Sequence, residues 1–159
     1  MKFLKKLTIL IYLISLKHVY AADVEISGTQ ATREDLQASS TLTISGTLDG
    51  DLNNIVRGYI AAGNEIDSAT VVVESGGTIQ GKSNAIMGRE TDSLTVINSG
   101  TIEATSSKAI QLLDAQNATI TNKSGGTIFA NTNAIVQQSA GTEDAENTTI
   151  TNSGTIYSV

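Results

Sequence analysis

Short β-branched runs alternate with Gly, Asn and Ser turns through most of this chain, and the runs return at intervals that drift. Five of them, LTIS at 42–45, VVVE at 71–74, LTVIN at 94–98, ATITN at 118–122 and TTITN at 148–152, have the period of two that marks a strand with one face turned inward. On that alternation Ile44, Val72, Val96, Ile120 and Ile150 share the inner face, and Thr43, Thr95, Thr119 and Thr149 point outward. A Gly-Thr-Ile/Leu triplet follows each run, at Gly46, Gly77, Gly100, Gly126 and Gly154, with spacings of 31, 23, 26 and 28 residues. Nine or ten residues beyond each of the first four glycines stands another isoleucine: Ile55, Ile86, Ile110 and Ile135. Each repeat therefore predicts three brief strands separated by turns.

Three short strands enclose nothing by themselves, so neighbouring repeats must supply the rest of the core. The expected fold is all-β: a right-handed parallel β-helix, or solenoid, of about five coils over residues 41–159. The columns Ile44/Val72/Val96/Ile120/Ile150, Leu48/Ile79/Ile102/Ile128/Ile156 and Ile55/Ile86/Ile110/Ile135 would be its three inner walls. Asn98, Asn122 and Asn152 end their first strands, where they either stack coil to coil through their amides or cap the bend locally. Length varies between the Ala-Ile unit and the next β-branched run, as in the acidic stretch SAGTEDAEN at 139–147 that carries Glu143, Asp144 and Glu146. Residues 22–40 read as an irregular N-terminal cap, with a short amphipathic helix in ATREDLQAS at 31–39.

The N-terminus changes the picture of where the protein works. MKFLKK, the apolar run LTILIYLISL at 7–16 and the Val19-Tyr20-Ala21 site form the pattern of a secretory signal peptide over residues 1–21, with cleavage between Ala21 and Ala22. Lys17 interrupts the run before it reaches spanning length. Cleavage removes four of the ten basic residues and none of the sixteen acidic ones, leaving Arg33, Arg57, Lys82, Arg89, Lys108 and Lys123 and a net charge of −10. Such a surface repels nucleic acid and anionic head groups. The protein is expected in the periplasm, at the cell surface or outside the cell. The chain has no cysteine and no proline, so packing and unbroken ladders must hold it without disulfides.

The phrases VINSGTIEA, ITNKSGGTIFA and ITNSGTIYS, with the Asn/Lys-Ala-Ile units, resemble the passenger regions of bacterial autotransporters over about residues 41–159. The resemblance implies a β-helical passenger displayed or released at the surface of a Gram-negative cell, acting as adhesin, antigen or structural spacer. Its partners would be a ligand on a host or neighbouring cell and a C-terminal β-barrel translocator. No ten-residue amphipathic strands bounded by aromatic girdles follow residue 41, so the barrel is missing from this chain, and the expectation is the front part of a longer passenger.

Candidate chemistry is sparse. With His18 removed and no cysteine, a Ser-His-Asp, Cys-His or histidine-metal site cannot form in the mature chain. Neither a cofactor nor a metal site is read from the sequence. Asp49-Gly50-Asp51 with Arg57 is the one constellation compatible with a β-helical polysaccharide lyase or hydrolase, since carboxylates at i and i+2 share one side of a strand; the same triplet is also an ordinary acidic turn. The column Thr47/Thr78/Thr101/Thr127/Thr155 is similar to the threonine faces of ice-binding β-helices, but uneven coils weigh against a regular lattice. The reading is a non-enzymatic exported surface protein, with the Asp49 and Asp51 enzyme as its alternative.

Overall fold

A computed structural model describes residues 23–50, 54–58, 66–139 and 147–159. Its strands are β1 (Val24–Ile26), β2 (Thr29–Gln30), β3 (Glu34–Asp35), β4 (Thr41–Ile44), β5 (Thr47–Gly50), β6 (Asn54–Gly58), β7 (Ile66–Asp67), β8 (Thr70–Val73), β9 (Thr78–Gly81) and β10 (Asn84–Arg89). They continue as β11 (Thr91–Asp92), β12 (Thr95–Asn98), β13 (Thr101–Ala104), β14 (Lys108–Leu113), β15 (Thr119–Asn122), β16 (Thr127–Ala130), β17 (Asn133–Gln138), β18 (Thr149–Asn152) and β19 (Thr155–Ser158). Among the described residues there is no helix.

The strands stack as a parallel β-solenoid. Wall one is β1-β4-β8-β12-β15-β18, wall two is β2-β5-β9-β13-β16-β19, and wall three is β3-β6-β10-β14-β17. The two-residue strands β7 and β11 pair at a short fourth side, extended by an Asp92↔Gln116 bridge. Of the five expected coils, those beginning at β4, β8, β12 and β15 have all three walls, and the fifth contributes β18 and β19. Below them β1, β2 and β3 make a further short coil paired to β4, β5 and β6. Where the sequence suggests a helix at 31–39, the chain has only the two-residue strand β3 between irregular and turn residues. An isolated helix of nine residues is marginal in water, and β6 offers Glu34 and Asp35 a ladder to join.

Two of the three inner columns need correction. Wall two matches: Leu48, Ile79, Ile102, Ile128 and Ile156 are mutual partners. On wall one the column is Leu42/Val71/Val96/Ile120/Ile150, and Ile44 instead stacks on Val73 and then on Asn98, Asn122 and Asn152. Val72 pairs with Thr43 and Ile97 on the outer face. The run TVVV carries the same residue in both phases of a period-two pattern, so alternation alone cannot fix its register. On wall three Val56, not Ile55, pairs with Ile86, Ile110 and Ile135. Ile55 and Val56 are both buried, as are Ala85 and Ile86.

The asparagines both stack coil to coil and cap the bend, where Gly100 N–H donates to Asn98 Oδ1 and Gly154 N–H to Asn152 Oδ1, each at 3.2 Å. Asn98 and Asn122 are fully buried. The Asn98 Nδ2 donates to Asn122 Oδ1 at 2.8 Å, and Asn122 Nδ2 donates to Asn152 Oδ1 at 2.8 Å. The same amides reach the Thr127 and Thr155 carbonyls at 3.1 Å. Buried amides are tolerated because each finds its partners in the neighbouring coil.

Corners explain the rest of the repeat. A Cβ on Gly46, Gly77 or Gly100 would fall inside 3.0 Å of a backbone carbonyl oxygen of the coil below, from Gly28, Ile44 and Gly77 respectively. Only glycine permits that approach. The carbonyls of Gly28, Gly46, Gly77, Gly100 and Gly126 accept the N–H of the next coil's threonine at 2.8–2.9 Å. Where two extra residues enter this corner, Gly76 (φ 87°) and Gly125 (φ 86°) bulge outward in type II-like turns closed by Gly77 N–H to Glu74 O and Gly126 N–H to Lys123 O. At the opposite corner Ser39, Ser68, Ser93, Asn117 and Asn147 form a column with φ between 50° and 62°. Asparagine tolerates a left-handed backbone better than serine does, and Ser39, Ser68 and Ser93 each donate their N–H to the coil above, to Asp67, Asp92 and Gln116.

Ile120→Asp buries an unpaired carboxylate in a site with no solvent exposure and is expected to cost several kcal/mol, abolishing cooperative melting, whereas Thr119→Asp on the outer face keeps a melting transition. Urea unfolding separates the two. Asn122→Val removes the amide hydrogen bonds to Asn98 and Asn152 and is expected to cost about 1–3 kcal/mol. Gly100→Ala meets the Gly77 carbonyl and forces a backbone shift, a cost of about 1–3 kcal/mol. Gly28→Ala meets nothing within 4 Å and is expected to change stability by less than about 0.5 kcal/mol.

Candidate binding face

Because every coil keeps register, side chains on the outside are sorted into columns as strictly as those inside. Wall two carries two. The first is Thr29/Thr47/Thr78/Thr101/Thr127/Thr155. The coil-length differences lie between the walls and leave this column intact. Its outer neighbours are Asp49/Gln80/Glu103/Phe129/Tyr157, which differ in length and charge, so the wall is not a flat threonine lattice. Phe129 and Tyr157 stack with ring centroids 4.7 Å apart and planes 31° apart, giving the column an aromatic end and an acidic one.

At the acidic end Asp49, Gly50, Gln80, Gly81, Lys82 and Thr105 line a notch of about 130 Å³. Gly50 and Gly81 are register partners at the last position of β5 and β9. Gly81 is required there, since a Cβ would collide with the Asn84 carbonyl. Both glycines share the inward phase of Leu48 and Ile79, so the hollow lies outside them, between the outward side chains of Asp49 and Gln80 and the corner at Lys82 and Thr105. The corner is held by Thr105 N–H to the Gly81 carbonyl at 3.0 Å and by Ser106 N–H to the Lys82 carbonyl at 2.8 Å.

Asp49 thus sits exposed on wall two. Asp51, Glu143, Asp144 and Glu146 lie outside the described residues, as do Ala21 and Ala22. Arg57 does not join Asp49: it stands on wall three, where its Nε and Nη2 meet Asp35 at 2.9 and 3.0 Å. Asp35 also pairs with Arg33 at 3.1 Å. A bidentate guanidinium–carboxylate pair of this geometry is committed to its partner. Gln80, Lys82 and Thr105, which share the notch with Asp49, are singled out by no motif. They emerge only when the repeats are aligned, because each stands two to four residues after a Gly-Thr pair. Among the described residues no three acidic side chains gather to hold a metal ion.

Wall three offers a polar ladder of its own. Asn84 Nδ2 donates to Gln111 Oε1 at 3.0 Å, and Gln111 Nε2 to Gln138 Oε1 at 3.3 Å. Gln111 is buried, so this ladder holds coils together and is not presented to a ligand. Comparison with protein-family models, with curated protein sequences and with solved structures finds no match.

Proposed function

We propose that this chain is an exported, non-enzymatic surface protein of autotransporter-passenger type, which contacts surfaces outside the cell through the outer columns of its solenoid. The observation that carries this reading is the unbroken register of those columns across successive coils. The outer threonine column repeats one group at the strand spacing of about 4.8 Å, and repeated weak contacts add in avidity without a deep pocket. The signal-peptide pattern at residues 1–21 and the acidic net charge of the mature chain agree with work outside the inner membrane. The resemblance of the SGTI phrases to passenger regions agrees with display at the cell surface.

A second reading is favoured by one specific observation, the presence of Lys82 beside Asp49 in the notch. A carboxylate and an amine on one rim are a minimal acid/base pair for cleaving a polysaccharide. Arg57, held by Asp35, is not available to that reading.

Both readings are tested on the full chain purified after export. The binding reading expects a mature N-terminus at Ala22, saturable attachment to cell surfaces, and no release of unsaturated or reducing sugar ends from a broad polysaccharide panel. Release of such ends, lost on Asp49→Asn, would establish the enzyme instead. Retention of the chain in the cytoplasm would contradict both.

A further inference from the structure

We infer that the notch at the corner of walls two and three is a subsite for one neutral, hydroxyl-rich sugar unit of a surface glycan. This rests on the surface-contact reading and names the ligand class that reading leaves open.

The argument starts from the lining. Three successive coils each send polar side chains to one hollow: Asp49 from β5, Gln80 and Lys82 from β9 and the residue after it, and Thr105 from the residue after β13. Together they supply a carboxylate that accepts, an ammonium that donates, and an amide and a hydroxyl that do both. Vicinal sugar hydroxyls ask for that mixture, since each donates once and accepts twice. Gly50 and Gly81 stand in the inward phase of their strands, so bare backbone lies between these side chains as part of the lining.

Other ligand classes fit worse. An anionic ligand would meet Asp49 in the notch and Glu103 next along the column, with Lys82 as the one cation among the described lining residues, and like charges repel at this range. A divalent cation needs several oxygen ligands gathered together, and the described residues bring no such group. An apolar ligand would find glycine backbone and polar rims where it needs aliphatic walls. Above the notch the column continues through Glu103 to Phe129 and Tyr157, so a linear oligosaccharide seated by one unit can run along the solenoid axis past one side chain per coil.

The test measures binding of the exported full chain to neutral oligosaccharides, with acidic ones alongside, by titration calorimetry and by amide shifts of Gly50 and Gly81. The expected result is binding of neutral chains only, shifts centred on those two glycines, and a weakening of at least about tenfold in Asp49→Ala and in Gln80→Ala. Thr121→Ala, on wall one, should bind as the unsubstituted chain does, and all variants should melt alike. Neutral sugar binding that survives both notch substitutions would place the site elsewhere and overturn the assignment. Failure of every neutral sugar, with attachment to cell surfaces retained, would overturn the notch but leave the surface-contact reading standing. Failure of both sugar and cell-surface binding would overturn both.

Discussion

Everything in this molecule depends on one constraint: a residue in one coil must hydrogen-bond through its backbone to its equivalent in the next. The ladder fixes register, and register sorts side chains into columns. Among the described residues an inward column of isoleucine becomes a core without any aromatic residue, since each side chain is covered above and below by its own kind. The glycine corner is where the constraint is tightest, because the backbone of one coil lies against the carbonyl of the coil beneath. That is why glycine and the following threonine recur while nearly everything between the walls is free to vary in length.

The same constraint governs polarity. Asn98, Asn122 and Asn152 take over the column that Ile44 and Val73 begin, so the interior passes from aliphatic to amide without a break. Each buried amide bonds both the asparagine of the next coil and the glycine corner of its own. The substitution of a polar for an apolar column therefore has to be made in several coils together, and the upper coils make it.

Legibility in the sequence follows how firmly each landmark is anchored. Leu48 and its column were readable because a glycine fixes the phase one residue ahead of the threonine. Val72 was not, since three consecutive valines look alike from either face. Ile55 and Val56 are both buried, which breaks period two at the third wall. The left-handed corner at Ser39, Ser68, Ser93, Asn117 and Asn147 is made of residues that pass for ordinary turn formers. Asp49 attracted notice for a carboxylate two positions away, whereas its companions in the notch are Gln80, Lys82 and Thr105 from other coils. A site made between coils leaves no local motif; it appears only after the repeats are laid on one another.

Column register is most directly measured by pairing introduced cysteines, for the chain contains none of its own. Thr101→Cys with Thr127→Cys places two thiols on directly paired strands, at a Cα separation of about 4.8 Å that a disulfide accepts. Thr101→Cys with Phe129→Cys is offset by two residues along the strand, which brings the separation beyond the reach of about 7 Å for an unstrained bridge. The account predicts rapid, near-complete oxidation of the first pair in the folded chain and none of the second. Oxidation of the offset pair in preference to the aligned one would contradict it.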